Sequence, residues 1–194
     1  MSSKKKTKNK QAPVDWRQSL RSWLQDRNPI LKFLLGFIGC MSLFYIFYYS
    51  GLYRNHLELP FLNGQVRISN ALLHLFGQAT EANGTLISSA DFSVNVKNGC
   101  DGLEAMAILV SGIVIFPVAL KYKFPGIAVG ILILFVANIF RIAGLYLAGK
   151  YFSSQVFDIL HIQGGFIIFT LLSILLWFIW MNWATDKSQK SVSS

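Results

Sequence analysis

Three side chains in the sequence combine into one possible chemistry: the thiol of Cys100, the guanidinium of Arg141 and the imidazole of His161. A cysteine–histidine pair is the usual basis of thiol acyl transfer, because the imidazole moves the protons that the sulfur and the leaving group exchange. An arginine beside such a pair stabilises the oxyanion that forms on the attacked carbonyl. The sequence has no metal-ligand cluster, phosphate-binding glycine loop or carboxylate pair that competes for the assignment. We therefore expect no metal site.

Cys100 stands between two glycines, in Asn98-Gly99-Cys100-Asp101-Gly102, at the predicted start of a helix. A helix N-terminus favours thiolate over thiol, and glycines let another backbone approach the sulfur. With an imidazolium and Arg141 nearby, we expect the pKa of the thiol to be lowered. The alternative is a small, buried, inert cysteine, which is what most free cysteines are. We adopt that alternative for Cys40, in the middle of the first apolar run.

Arg141 is the one charged residue of the apolar run 125–148. Placing arginine within a bilayer costs at least about 2.5 kcal/mol, so it is rare there without a function or a partner. Asn138 lies one turn earlier on the same helical face and is expected to hydrogen-bond it or to line the same cavity. The alternatives are an arginine that snorkels to the interface, or one that holds a structural carboxylate such as Glu104.

His161 opens the last apolar run and shares its membrane leaflet with Cys100 and Arg141. A lone interfacial histidine is usually a polar cap, but this neighbourhood favours a catalytic role. His56 and His74 have no neighbouring motif. We interpret both as solvated or interfacial side chains.

Composition places these residues in a membrane protein. The chain has 194 residues, of which 53% are hydrophobic and 14% charged, whereas soluble domains carry about 25% charged residues. This excludes a soluble domain, a disordered chain and a small disulfide scaffold. Of its 18 Lys and Arg residues, eight lie in residues 1–27. The net charge of +9 is therefore concentrated in a tail, and no nucleic-acid partner is expected.

Four apolar runs are long enough to approach or cross a bilayer, which takes about 20 residues. They are Ile30–Tyr53, Leu103–Leu120, Pro125–Ala148 and Ile162–Trp183. The first run ends in Tyr48, Tyr49 and Tyr53, a pattern typical of an interfacial aromatic belt. The predicted fold is an all-α integral membrane protein, with a bundle of about four transmembrane helices, an outside amphipathic helix and a small β-hairpin.

The distribution of Lys and Arg assigns the sides of the membrane. Residues 1–29 form a basic tail, and positive residues stay in the cytoplasm. With the N-terminus inside, residues 30–53 anchor the chain, residues 54–101 lie outside, residues 102–183 form a three-span core, and residues 184–194 return to the cytoplasm. Lys121 and Lys123 then fall in a short inside loop.

The outside segment has two patterned regions. Apolar residues recur at helical spacing from Val66 to Ala79, which predicts an amphipathic helix on the outer membrane surface or on the bundle. Two β-prone runs, Thr85–Ile87 and Phe92–Val96, are flanked by turn residues and predict a hairpin just above the membrane. The hairpin would deliver the chain to Cys100.

These residues resemble a known family. Cys-Asp-Gly-Leu at 100–103, Asn-Ile-Phe-Arg at 138–141 and His161 resemble the C-x-G, N-x-x-R and H signature of exosortases and archaeosortases. These are polytopic membrane enzymes proposed to act as cysteine transpeptidases. The resemblance covers about residues 66–183, and the short chain is more similar to compact exosortases, such as the type called exosortase H, than to larger members.

The resemblance implies substrates, an acceptor and roles. The substrates would be exported proteins with a C-terminal sorting tail, made of a short motif, a transmembrane helix and a basic end, and the acceptor a cell-envelope molecule. Cys100 would be the nucleophile, His161 the general acid and base, and Arg141 the oxyanion or thiolate stabiliser. Asn138 would orient Arg141, and Asp101 and Gly102 complete the motif. No soluble cofactor is implied. The protein would lie in a bacterial cytoplasmic (inner) membrane with its site facing outside.

Two other classes remain open from the residues. One is a different membrane enzyme, either a thiol-dependent acyltransferase or a thiol protease that releases its product to water. The other is a non-enzymatic assembly or transport subunit in which Arg141 serves helix association.

Overall fold

The computed structural model describes residues 29–153, 155, 157, 161 and 165–190, and the basic tail lies outside them. The described part is mostly helical with one small antiparallel sheet, as predicted for an all-α membrane protein. In chain order the helices are α1 Pro29–Tyr48, a π-helix Tyr53–Leu57, α2 Glu58–Leu75, α3 Leu103–Ile115, α4 Leu120–Tyr151 and α5 Gly165–Lys190. The strands, between α2 and α3, are β1 Glu81–Asn83, β2 Leu86–Ser88 and β3 Ser93–Asn95.

In the described ranges, α1, α4 and α5 are long and apolar enough to cross a membrane. The predicted second span differs, because α3 has only 13 residues and is about 20 Å long. Pro117 forces the residue before it out of the helical region, and Phe116 is extended, with φ −62° and ψ 134°. The extended residues after α3 carry the chain onward to α4.

Helix α4 begins at Leu120, five residues before the predicted start at Pro125. The proline removes one backbone hydrogen bond inside the helix. The first turn is held from another helix, because the indole Nε1 of Trp180 donates to the Tyr122 carbonyl at 2.9 Å. Lys121 and Lys123 therefore belong to this turn and not to a loop. Helix α5 likewise continues beyond Trp183, to Lys190.

Helix α3 is the centre of the bundle, and α1, α4 and α5 all pack against it. The helices approach closely where glycines face large rings, as is common in membrane bundles. A Cβ added at Gly112 would lie 2.8 Å from Trp177, and one at Gly126 would collide with Trp180. The buried apolar residues here form the membrane cluster. They are Ala105, Met106, Leu109, Ile113, Leu134, Phe169, Trp180 and Ala184.

The predicted amphipathic helix is present as α2, which packs on α4. It starts earlier than predicted, at Glu58, and ends at Leu75, just before Gly77 with φ +74°. Its buried face includes Gln65 and Ser69 as well as apolar residues. Of the two predicted locations, α2 therefore occupies the one on the bundle.

The predicted hairpin is present and has a third strand. The strand order is β1-β2-β3, and all pairs are antiparallel. β2 and β3 correspond to the predicted pair, whereas β1 is short and largely polar and shows no sequence signal for a strand. The sheet, α2 and the end of α4 enclose the outer cluster. It consists of Leu62, Val66, Leu73, Ile87, Val96, Cys100, Ile142, Ala143 and Tyr146.

Candidate active site

The loop that carries Cys100 lies where the outer cluster meets the membrane cluster, immediately before α3. Gly99 and Gly102 both adopt positive φ angles, 87° and 75°, which L-residues with side chains rarely adopt. A Cβ at Gly102 would also lie 3.1 Å from the Cγ atom of Asn138. The positive φ angle and the close approach of Asn138 therefore both require glycine at position 102.

The structure brings Cys100 and His161 into contact. The Sγ atom lies 3.8 Å from Nδ1 and 3.9 Å from Nε2 of His161. The ring of Phe157 stacks on the imidazole, with centroids 5.6 Å apart and planes 11° apart. This stacking orients His161 beside the thiol.

Arg141 extends from α4 to the same place. Its Nη2 atom donates to the backbone carbonyl of His161 and its Nη1 atom to Oδ1 of Asn138, both at 3.4 Å. Its guanidinium carbon lies 5.5 Å from the ring centre of Phe169, within the range of a cation–π contact. A Cβ at Gly165 would collide with the guanidinium. The arginine is thus held on several sides.

One nitrogen of Arg141 makes no hydrogen bond in the described part of the chain. Its Nε atom is buried and has no hydrogen-bond partner there. A buried N–H without a partner is unfavourable, and each such group calls for an explanation. The guanidinium carries five N–H groups, and Arg141 lines the cavity beside Cys100. The structure gives no support to a pairing with Glu104, since Lys190–Asp186 is the one salt bridge among the described residues.

Asn138 connects Arg141 to the backbone of the loop that carries Cys100, residues 98–102. It is fully buried, and its Nδ2 atom donates to the Cys100 carbonyl at 2.9 Å and to Oε1 of Gln65 at 3.3 Å. Gln65 in turn donates from Nε2 to the Asp101 carbonyl at 2.8 Å. Two helices, α2 and α4, therefore hold the backbone on which the thiol is mounted.

The side chain of Asp101 points away from the thiol into a polar network. Its Oδ1 atom accepts the Leu103 amide at 3.1 Å, and its Oδ2 atom accepts the hydroxyls of Tyr48 and Tyr53 at 2.8 and 3.3 Å. Burial raises the pKa of the carboxyl, and these hydrogen bonds oppose the rise. Asp101 thus caps α3 and fixes the loop.

The predicted aromatic belt is wrong at two of its three positions. Tyr48 and Tyr53 are buried, with 1% and 4% of their surface exposed, whereas Tyr49 is 56% exposed. The Tyr48 hydroxyl also contacts Asn98 and accepts the Gly99 amide at 3.2 Å. A tyrosine near the end of an apolar run gives the same sequence pattern in either role. Tyr48, Tyr53 and Gln65 are therefore site residues that sequence reasoning missed.

The expected lowering of the thiol pKa is wrong in direction. Cys100 has 8% of its surface exposed, and burial raises the pKa of its thiol, while the charge of Arg141 acts in the opposite direction. Burial outweighs the attraction because a thiolate loses its hydration in this site. The raised pKa favours the thiol form of Cys100 at neutral pH, and the imidazole of His161 lies beside it.

We expect the alkylation of Cys100 by iodoacetamide to show this directly. A raised pKa keeps the sulfur protonated at neutral pH, so the rate should rise with pH along a curve centred above that of a free thiol, at about 8.5. Arg141→Gln should move the midpoint further up, since it removes the opposing charge. A Cys40→Ser background leaves a single cysteine to measure. A midpoint below that of free cysteine would contradict this account.

The three catalytic candidates border one cavity of about 240 Å³. Its polar wall carries Cys100, Arg141 and His161, and its apolar wall carries Ile108 and Phe169. In the part of the chain that the structure describes, no three His, Cys, Asp or Glu side chains lie together as metal ligands would. The arrangement places a thiol, an imidazole and a guanidinium around one space.

The remaining candidates lie elsewhere. Cys40 is a free cysteine in α1. His74 has a structural position, because its Nε2 atom lies 2.6 Å from the Thr80 carbonyl and 3.3 Å from Nδ2 of Asn70. It joins the end of α2 to the segment that leads into β1.

Replacing Asn138 with alanine is expected to destabilise the protein by about 1–3 kcal/mol. The substitution leaves the buried Cys100 carbonyl and Oε1 of Gln65 without their donor. Thermal unfolding in detergent, followed by the loss of the monodisperse peak in size-exclusion chromatography, measures the change. Asn182→Ala, at an exposed position of α5, is the matched control and should unfold close to the wild-type temperature.

Comparison with known proteins agrees with the geometry. The family model described as transmembrane exosortase (Exosortase_EpsH) matches residues 26–178, well over half of the chain. No curated protein and no solved structure matches the chain. The matched range includes the loop that carries Cys100, the helical turn of α4 from Asn138 to Arg141, and His161. The chain therefore belongs to the transmembrane exosortase family, EpsH type.

Proposed function

We propose that this protein is a membrane-embedded cysteine transpeptidase that cleaves C-terminal sorting tails of exported proteins and transfers the acyl group to a cell-envelope acceptor. The observation that carries the proposal is the contact of Cys100 Sγ with both ring nitrogens of His161, at 3.8 and 3.9 Å. Arg141 borders the same cavity. Membership of the exosortase family supports the substrate class.

The first half-reaction forms a thioester. His161 takes the proton of Cys100 as the sulfur attacks the carbonyl carbon of the scissile peptide bond. Arg141 stabilises the negative charge on the carbonyl oxygen of the tetrahedral intermediate. The C–N bond then breaks, and His161 gives its proton to the departing amine. The released product is the tail that begins with the new amino group.

The second half-reaction removes the acyl group from sulfur. An amine or hydroxyl of the acceptor attacks the thioester carbonyl while His161 accepts its proton. The C–S bond breaks, and the proton returns to Cys100. Water in place of the acceptor would give hydrolysis, so the product distinguishes a transpeptidase from a protease.

The orientation of the site in the membrane is part of the proposal. Cys100 lies before the first residue of α3, whereas Nζ of Lys123 contacts the Val114 carbonyl near its last residue. The Tyr122 hydroxyl donates to the Lys187 carbonyl, which places the lysines of α4 and α5 together at that end. Basic residues favour the cytoplasmic side. The opposite end, with Cys100, would then face outside a bacterial inner membrane.

Reporter fusions test this orientation. Alkaline phosphatase inserted after Asn83 should be active, because the sheet is expected outside, and a fluorescent protein fused at the C-terminus should fluoresce, because α5 is expected to end inside. The reciprocal fusions should both be silent. Matching signals at the two positions would contradict the assignment.

The activity is tested with an exported reporter that carries the sorting tail of a protein from the same genome. Co-expression with the intact protein should shorten the reporter, and co-expression with Cys100→Ala should not. Mass spectrometry of the new C-terminus then reads the chemistry. An adduct supports transfer, a free carboxylate indicates a thiol protease, and an uncut reporter with a stable complex favours a non-enzymatic subunit.

A further inference from the structure

A second cavity, of about 480 Å³, also borders His161. Its walls come from the sheet, the end of α4 and the segment that follows α4. The residues are Phe92, Ser93, Val94, Asn95, Lys97, Gly149, Phe157 and His161. His161 thus lines both this space, which we name the strand cavity, and the cavity that holds Cys100 and Arg141. The proposed mechanism uses only the latter.

The strand cavity runs along the outer edge of β3. In the ladder, Val96 N–H donates to the Thr85 carbonyl at 2.9 Å, and Ser89 N–H donates to the Phe92 carbonyl at 2.8 Å. Residues alternate in an antiparallel strand, so Phe92, Val94 and Val96 face β2. The backbone N–H and C=O groups of Ser93 and Asn95 therefore point away from the sheet.

These outward groups have no backbone hydrogen-bond partner among the described residues. A strand edge of this kind is a template for another extended chain, and many proteins bind peptides in this way. The strand cavity meets the cavity that holds Cys100 at His161, which lines both. An extended peptide on this edge is thus delivered to the nucleophile.

We propose that the substrate segment just before the scissile bond binds as an added strand on the edge of β3. This inference rests on the proposed function and gives the peptide a direction. The cavity at Cys100 has an apolar wall with Ile108, Phe166 and Phe169, which suits the membrane-spanning segment after the cleavage point. The exported part then lies beside the sheet. Because β3 has three residues, the substrate motif that it recognises is short. Strand pairing holds the backbone of that motif as well as its side chains.

A pair of proline variants on opposite edges of the sheet tests the proposal. Asn95→Pro removes an outward N–H while keeping the backbone hydrogen bonds between β2 and β3, and Asn95→Ala measures the separate effect of losing the Thr85 Oγ1–Asn95 Oδ1 bond of 2.9 Å. Ala82→Pro, on β1, is the matched control. The backbone groups of Glu81 and Asn83, which pair with Ser88 and Leu86, face β2. The N–H of Ala82 therefore also points outward, but on the side of the sheet away from the strand cavity. Cleavage of the sorting-tail reporter should fall about tenfold in kcat/KM for Asn95→Pro. The Ala82→Pro rate should stay within about twofold of wild type. Equal rates for the two variants would overturn the proposal.

A substrate-side scan gives the same answer with unaltered protein. Synthetic peptides of the reporter's motif and first apolar residues are N-methylated at one position at a time, and both binding and cleavage are measured. Strand addition predicts losses at alternate residues, because only every second N–H faces β3. Uniform losses, or none, would overturn it. If the peptide binds with this alternation but is not cut, the strand site stands and the proposed function fails, whereas a peptide that does not bind contradicts both.

Discussion

Cys100→Ser is expected to lower the rate of reporter cleavage by at least about 10³-fold, although it changes one atom. The Sγ atom lies 3.8 and 3.9 Å from the ring nitrogens of His161, a distance suited to large sulfur. The C–O bond is shorter, so a serine hydroxyl would lie beyond hydrogen-bond reach of the same imidazole. An alcohol is also far less acidic than a thiol, and burial makes its ionisation harder still. Single-turnover cleavage in membranes or mild detergent measures the loss.

The other cysteine supplies the control for this experiment. Cys40 lies in α1 as a free, partly buried thiol, and Cys40→Ser should cleave at the wild-type rate. Cys100→Ala should match Cys100→Ser, since both lack the nucleophile. A serine variant that retained a tenth of the wild-type rate would rule out Cys100 as the nucleophile of this reaction.

Arg141→Lys is expected to lower kcat by about 10²- to 10³-fold, the usual consequence of losing an oxyanion donor. Arginine is a planar fork of five donors, and lysine replaces it with a point charge on a flexible chain. In this site the two terminal nitrogens of the fork hold Asn138 and the His161 carbonyl, and Arg141 lines the cavity beside Cys100. A lysine ammonium cannot keep both contacts and also reach an oxyanion in that cavity. The effect should appear in kcat more than in KM, because the oxyanion exists only after attack.

An exposed arginine provides the comparison. Arg54 lies over the ring of Tyr49, at 5.3 Å, and Arg54→Lys should leave cleavage unchanged. Gly165→Ala tests the position of the fork without touching it, because the new methyl group would displace the Arg141 guanidinium. Its rate should also fall. Near-normal turnover in Arg141→Lys would leave the arginine with a structural charge and no oxyanion role.

The order of elements could be predicted from the sequence, because it depends on local patterns. Long apolar runs predict α1, α4 and α5, and helical spacing of apolar residues predicts α2. Their ends were harder to place. The sequence predicts a helix that starts at Pro125, whereas α4 begins at Leu120. The earlier start is possible because a hydrogen bond from Trp180 holds the first turn.

The catalytic candidates could also be named from the sequence, because cysteine, arginine and histidine are few and stand at the ends of predicted helices. Their support could not. Gln65 reaches Asp101 across 36 positions of the chain, and Tyr48 reaches it across 53. Neither contact leaves a local pattern, so the sequence predicts a membrane-interface position for Tyr48. Long-range hydrogen bonds of this kind depend on how helices pack, which residue spacing does not encode.

Residue types and spacing by themselves determined the membrane class, the order of the spans and the identity of the thiol, imidazole and guanidinium. Only the tertiary structure decided the protonation of that thiol. The sequence places Cys100 at the start of a helix, which favours a thiolate, whereas packing buries it in the outer cluster and raises its pKa. Helix position is a local property of the chain, but burial is set by α2, α4 and the sheet closing around the loop. The loss of hydration on closure exceeds the attraction of Arg141, and this is why the proposed mechanism includes a base beside the sulfur.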